Sequence, residues 1–439
     1  MKIKYSILFS VFVGLQCLTA QQILTPEEAV ALALENNYGI KIANKNNEVA
    51  ENNTSVLNSG YLPTLTGNAG ATYNLDNTEV EFSDSRPDAV LNGAKSNRYN
   101  ASINVNYVLF DGLGRHYNYK RLKEEYQLSE LQVRETIETT IIQLFSIYYT
   151  VAQLTENTEV LEQTLVISKD RLTRAGYQFD YGQSTKLAVL NAEVDINNDS
   201  INLISIEQEL KNTSRDLNVV LGNAIDHNFK VNTDIDFVLN LNREELYEKA
   251  KARNVSLLQV NKNIQISELD IKTGKSAYLP TLGLTGSYGW NENNNNAASF
   301  VAVSTNTGLS AGINLTWNLF DGGSTLTRVR NAKINLENQQ LQKEQLLISV
   351  ERDFENAWDD YQNKLTIFRV QEKNIKTAQS NFDRSQEQFK IGQVNSIEFR
   401  QAQLNLINAE LSRNQAKYDA KLSELIVLQL AGELLNVQF

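Results

Sequence analysis

Tyr61-Leu62-Pro63-Thr64-Leu65 returns later in the chain as Tyr278-Leu279-Pro280-Thr281-Leu282. Three further pairs keep the same order. Leu109-Phe110-Asp111-Gly112 returns as Leu319-Phe320-Asp321-Gly322, and Gln178-Phe179 with Gly182-Gln183 returns as Gln388-Phe389 with Gly392-Gln393. Leu221-Gly222 returns as Ala431-Gly432, and the offset stays near 210 to 217 residues. The chain therefore reads as an internal tandem duplication of one long unit. Each copy must carry strands and helices in the same order.

The 439 residues would otherwise suit two or three ordinary domains. The net charge of −11 argues against a nucleic-acid partner, which calls for basic patches. Residues 1–20 read as a secretory signal peptide: Lys2 and Lys4, an apolar run from Ile7 to Leu15, and cleavage after Ala20. The sole cysteine, Cys17, leaves with it, so the mature chain needs no redox control. A lipid-anchor reading of Cys17 meets Gln16 where a small residue is expected. No later apolar run reaches the roughly 20 residues of a membrane helix, so any membrane span must be made of strands.

The first repeat is expected over 21–221. Thr25-Pro26-Glu27-Glu28 opens a helix with a capping box and a proline at its first position. Asn242-Arg243-Glu244-Glu245 does the same in the second repeat, 242–439, after a connecting segment, 222–241. Each opening helix is expected to run to its Tyr-Leu-Pro segment, where Pro63 or Pro280 ends it. The period then changes to two. Ile103, Val105, Tyr107 and Leu109 alternate with polar residues, as do Leu309, Ala311, Ile313, Leu315, Trp317 and Leu319. Two strands are expected in about 62–110 and two in about 280–320, each near the 9–11 residues that cross a bilayer. The stretches from Asp76 to Asn97 and from Asn291 to Asn296 read as solvent loops.

Phe-Asp-Gly then starts a long helix in each copy, about 113–180 and 323–390. Leu347, Phe354, Tyr361, Phe368, Ile375, Phe382 and Phe389 fall seven apart; so do Ile137, Leu144, Val151, Thr158, Leu165, Leu172 and Phe179. A sustained heptad supercoils left-handed against a partner. Such a helix is roughly 95 Å long at 1.5 Å per residue. Gly182 and Gly392 end these helices, and return helices follow over about 184–221 and 395–432, the second with a short C-terminal tail.

The strands present one apolar, aromatic face and one rich in Asn, Ser, Thr and Gly. In a membrane barrel the first meets lipid and the second lines water, with Tyr73, Tyr99, Tyr107, Tyr288, Trp290 and Trp317 as candidate interface aromatics. Four strands leave open edges that lipid does not tolerate, and they are too few to enclose a wide lumen. The chain must oligomerise to close, and its helices must follow that symmetry into a hollow cylinder. The expected class is an α+β membrane protein: a long antiparallel α-helical coiled-coil barrel joined to a transmembrane β-barrel of four strands per protomer.

On the Tyr-Leu-Pro pair, the Phe-Asp-Gly pair and the two Gly turns, essentially the whole mature chain resembles the TolC-like outer-membrane factor family. The resemblance implies a homotrimer with a twelve-stranded barrel in outer-membrane lipid. It also implies a periplasmic tunnel that docks a periplasmic adaptor and an inner-membrane transporter of an efflux or type I secretion system. The tunnel of the family closes near acidic residues after the second Gly turn. Glu398 fits such a pore constriction, Gln401 departs from the two-carboxylate pattern, and Ala188 and Asn191 stand at the matching positions of the first copy. Three symmetry-related carboxylates would still be converging charges in a narrow pore, without the second carboxylate on which the family's cation trap rests. Asn395-Ser396-Ile397-Glu398 reads equally as a capping box. The resemblance assigns adaptor docking to Tyr181, Gly182, Gln183, Ser184 and Thr185, and to Ile391, Gly392, Gln393, Val394 and Asn395; a plain helix–helix turn is the alternative.

His116 and His227 are isolated, and no metalloprotease, nucleophile-elbow, phosphate-loop or Cys/His pattern occurs. Asp111 and Asp321 read as helix caps. No enzyme activity or cofactor is expected. The rival class is a trimeric coiled-coil surface stalk or adhesin with a small β anchor, whose aromatic heptad residues would pack about a dry axis. The cargo is not written in the residues.

Overall fold

The computed structural model describes residues 23–238 and 241–437. The expected leader with Cys17 lies outside the described residues. In chain order the elements are β1 (Ile23–Leu24), α1 (Pro26–Asn36), α2 (Tyr38–Asn53), β2 (Thr64–Val80), β3 (Ala89–Asp111), α3 (Gly114–Asp180) and α4 (Lys186–Leu221). The second half has β4 (Lys230–Val231), α5 (Arg243–Arg253), α6 (Val255–Ser276), β5 (Thr281–Asn294), β6 (Val303–Thr316), α7 (Ser324–Lys390) and α8 (Ser396–Leu430). The chain forms two compact units. One comprises the stretch ending at Lys41, Thr136–Ala250 and the stretch from Glu351 onward; the other comprises Ile42–Glu135 and Lys251–Val350.

The opening helix of each half is two helices, contrary to the single helix expected. Asn37 ends α1: its amide oxygen accepts from the Gly39 and Ile40 N–H groups at 2.8 and 3.2 Å, while its amide nitrogen donates to Val220 O at 2.9 Å. Asn254 caps α6 by accepting from the Ser256 and Leu257 N–H groups. A short side-chain amide competes with the helical ladder and restarts it at a new cap. The prolines do not end these helices either: α2 stops at Asn53 and α6 at Ser276, before Pro63 and Pro280.

In the second unit β2-β3-β5-β6 form one antiparallel sheet with β2 and β6 at its edges. The expected loops are largely strand. Thr78, Glu79 and Val80 pair with Leu91, Val90 and Ala89, and Asn291 to Asn294 pair on both sides. Backbone pairing of an antiparallel ribbon needs no apolar alternation, so the strands outrun their hydrophobic pattern. At the other end β6 stops at Thr316, short of the expected 320. Its partner β5 begins at Thr281, opposite Thr316, and offers no backbone beyond it. Across one row Gly67 pairs with Ile103, Ile103 with Tyr288, and Tyr288 with Leu309. The next residue along reads Asn68, Ser102, Gly289 and Gly308. Directly paired residues share a face, so the sheet has an apolar side and a polar side.

The first unit packs around α3 and α8. Leu144, Phe145, Tyr148 and Val151 of α3 and Tyr418, Leu425 and Leu428 of α8 are buried. The Tyr148 hydroxyl donates to Leu24 O at 2.7 Å and accepts from the Asn232 N–H at 3.1 Å, at the parallel pair β1–β4. The connecting segment 232–238 is strapped to α8. Lys417 Nζ donates to Thr233 O, Lys421 Nζ to Asp236 O, and the buried Glu424 carboxylate accepts from the Val238 N–H. The heptad aromatics of α7 pack within the protomer: Phe354 lies 5.5 Å from Tyr247, and Phe368 lies 5.7 Å from Phe237.

Asp111 and Asp321 accept backbone N–H bonds at the starts of α3 and α7, from Arg115 at 2.9 Å and Thr325 at 2.8 Å. The adjacent glycines share a left-handed conformation, φ 67° at Gly112 and 68° at Gly322, in different surroundings. A Cβ on Gly112 would meet Ser276 O at 2.4 Å and Leu279 Cβ at 2.9 Å, whereas Gly322 has nothing within 4 Å. Gly322→Ala is expected to cost about 1–2 kcal/mol, the left-handed penalty alone. Gly112→Ala is expected to add about 1–3 kcal/mol of overpacking. Comparative denaturant melts of the two variants check this order.

Candidate functional site

The long helices end identically. In α3 the Gln183 N–H donates to Gln178 O at 2.7 Å and the Gly182 N–H to Phe179 O at 2.9 Å; in α7 Gln393 donates to Gln388 O at 2.8 Å and Gly392 to Phe389 O at 3.2 Å. This is the Schellman closure, which needs a left-handed residue after the last turn. Gly182 and Gly392 supply it with φ of 71° and 77°. Each tip carries a bare apolar knob beside its glycine: Tyr181 is 79% exposed and Ile391 67%.

The return helices begin differently. Thr185 precedes α4 without a side-chain cap bond. Asn395 caps α8, accepting from the Ile397 and Glu398 N–H groups at 3.0 and 2.9 Å, while its own N–H donates to Glu398 Oε2 at 3.1 Å. The capping box is therefore formed, and Glu398 remains exposed beside the helix start. Asn191 and Gln401 lie together on the wall of an open cavity of about 610 Å³ between the first turns of α4 and α8. Ser184, Thr185, Gly392, Val394 and Asn395 also line it; Tyr181, Gly182, Gln183, Ile391, Gln393 and Glu398 do not.

Behind that cavity lies a charged cluster absent from the sequence reading. Arg400 of α8 makes a two-pronged pair with Asp199 of α4, at 2.9 and 2.6 Å. Ser168 of α3 donates to the same carboxylate at 2.6 Å, and Arg171 pairs with Asp195. Burial pulls the Arg171 guanidinium below its usual range, and Asp195 draws it back up. Gln403 accepts from Arg400 at 2.9 Å and donates to Thr164 O at 3.3 Å, so α3, α4 and α8 are joined by one network. Its signal in the sequence was a break in the internal repeat. At the 210-residue offset, Asp199 answers to Ala409 and Arg400 to Leu190. Below the network Phe399 stacks on Phe389 at 4.9 Å and on Phe382 at 5.6 Å.

Of the candidate interface aromatics, Tyr73, Tyr99, Tyr107, Tyr288 and Trp290 fall on the apolar face of the sheet by register. Trp317 falls beyond β6, contrary to its expected place in the alternation, and its indole N–H donates to Tyr278 O at 3.0 Å. Among the described residues no group of His, Cys, Asp or Glu is arranged to hold a metal ion.

Arg400→Met leaves the Asp199 carboxylate buried and uncompensated, and is expected to cost about 3–5 kcal/mol. The Arg400→Met/Asp199→Leu double variant is expected to recover most of that loss. Chemical denaturation of the three proteins checks the coupling.

The model of the outer membrane efflux protein family matches residues 29–223 and 246–433. Outer membrane efflux protein BepC of Brucella suis is 21% identical over 406 residues, covering 92% of this chain and 85% of that protein. Outer membrane protein TolC of Vibrio cholerae is 23% identical over 70% of each chain. The CmeC outer membrane channel of Campylobacter jejuni superposes with a TM-score of 0.77 at 17% identity, covering 93% of this chain and 86% of that one. The MtrE outer membrane channel of Neisseria gonorrhoeae gives 0.71 at 16%, covering 93% and 89%. With both halves matched in order and the fold shared, the chain belongs to the outer membrane efflux protein family, the TolC-like outer-membrane factors.

Proposed function

We propose that this protein is the outer-membrane exit duct of a tripartite efflux pump or type I secretion system. It passively conducts cargo handed over by a periplasmic adaptor and an inner-membrane transporter. The observation that carries this reading is the four-stranded sheet with one apolar face, one polar face and two unpaired edges. An apolar face of this extent calls for lipid or protein cover, and a bilayer requires the edges to be paired. Three copies joined β2 to β6 would close twelve strands. The helical unit carries a matching demand: Leu187, Val194 and Ile201 of α4 fall seven apart and are 64%, 57% and 60% exposed. Such a stripe suits a coiled-coil partner from the next copy.

The rival stalk requires Phe354, Tyr361 and Phe368 to meet about a dry trimer axis. Phe354 and Phe368 instead contact Tyr247 and Phe237 of the same protomer, and Tyr361 is buried beside Trp358. This favours the duct. At the tips, Tyr181 and Ile391 are proposed to seat the adaptor. Glu398, held in place by its cap, is proposed to ring the constriction.

Purified trimers in a planar bilayer are expected to give discrete conductance steps, and Glu398→Ala to give larger ones. Steps that stay absent after the tips are opened by truncation near Gly182 and Gly392 would instead identify a solid stalk. Tyr181→Asp with Ile391→Asp is expected to leave the trimer intact and abolish adaptor-dependent export; normal export would remove docking from these tips.

A further inference from the structure

The water-facing side of α8 lacks something that helices exposed to water usually have. Among its described residues from Gln401 to Gln415, the exposed ones are Gln401, Asn405, Asn408, Ser412 and Gln415. They recur every three or four residues, so they form one stripe on one face. A solvent face of a helix normally mixes Lys, Arg, Glu and Asp, yet all five of these residues are uncharged amides or hydroxyls. The internal repeat places Asn191, Asp195, Asn198, Asn202 and Ser205 of α4 at the matching positions. The one carboxylate among them, Asp195, is neutralised by Arg171. Continuing the α8 stripe, a groove of about 380 Å³ is bounded by Asn374, Thr377 and Asn381 of α7 facing Asn405, Asn408 and Ser412, again without a charge.

The side on which the stripe lies follows from the strap. Ser412 and Lys421 are nine residues apart, about two and a half turns, so they point to opposite sides of α8. Lys421 holds the connecting segment 232–238 through Asp236 O at 2.7 Å. Asn414, seven residues before Lys421 and so on the same side of α8, donates to Asn157 of α3 at 2.9 Å, and Phe399 stacks on Phe382 of α7. The stripe is therefore turned away from the side that holds α3 and the strap. In a wall of helices closed on itself, it is the inner surface if the strap is outside. A strap seven residues long fits poorly in a lumen that must stay clear.

We propose that the duplicated amide-hydroxyl stripe of α8 and α4 lines the conduit. It makes that stretch of the passage hydrogen-bonding but charge-neutral, suited to polar solutes of either sign and to neutral or zwitterionic ones. Glu398, three residues before Gln401 on the same face, is its charge-selecting group. Side-chain amides offer both a donor and an acceptor and carry no net field, and the residues lining a pore set its selectivity. This inference rests on the duct reading above.

Asn405→Cys and, as a second variant, Asn408→Cys test it in the full-length trimer, whose sole native cysteine is Cys17 in the expected leader. Asp234→Cys, in the strap, is the outside control. The stripe cysteines are expected to react with a small charged thiosulfonate but to be protected from a bulky poly(ethylene glycol) maleimide. The strap cysteine is expected to react with both. Under a salt gradient, Asn405→Lys/Asn408→Lys is expected to shift the reversal potential toward anion preference, and Glu398→Gln to remove cation preference. Equal maleimide reaction at Asn405, Asn408 and Asp234, with conductance steps intact, would overturn the lining and leave the duct standing. Absence of conductance from tip-opened trimers would overturn the duct itself, and protection of both stripe cysteines would then still report an enclosed stripe.

Discussion

A backbone N–H or C=O without a partner costs several kcal/mol in hydrocarbon, and the sheet has an unpaired row along each of β2 and β6. Much of the chain's organisation follows from that debt. On the duct reading proposed above, four strands would not close on themselves around a passage, and the pairing that relieves the backbone would come from other copies. The helical unit meets the requirement in its own terms. Its α4 edge carries an exposed heptad of aliphatic residues, while α8, held between α3 and α7, carries none in its middle stretch. Apolar exposure is concentrated on α4 and amide exposure on α8.

The two halves share an element order but have diverged where they meet. The glycine closures at Gly182 and Gly392 are the same to within hydrogen-bond geometry. The helices that follow differ: a full capping box with Glu398 in one half, an unbonded Thr185 cap in the other. Asp199 and Arg400 occupy positions whose counterparts are Ala409 and Leu190. The pair takes one residue from each half, and neither half carries the charge at the counterpart position, so this contact breaks the repeat. A two-pronged Arg–carboxylate pair also fixes orientation as well as attraction, which suits a junction of three helices.

Some elements were legible because their signals are local. Heptads longer than nine turns admit only helix, Asn395-Ser396-Ile397-Glu398 spells its own cap, and alternation from Ile103 to Leu109 admits only strand. The errors were local too. Asn37 and Asn254 interrupt helices that hydropathy alone would carry through. The polar ends of β2 and β3 are paired by backbone groups that composition does not report. Trp317 alternates correctly with its neighbours, yet β6 ends before it, because the end of a strand is set by its partner.

By itself, then, the sequence determined the repeated strand–helix–helix order, the glycine turns and the two-faced character of the strands, because each depends on residues within a few positions of one another. The tertiary structure alone decided the Arg400–Asp199 network, the strap of 232–238 on Lys417 and Lys421, and the cavity wall that Asn191 and Gln401 share. Those contacts join residues some 180 to 210 positions apart. Their partners are chosen by which helix faces pack together, a global property of the fold that no local pattern encodes.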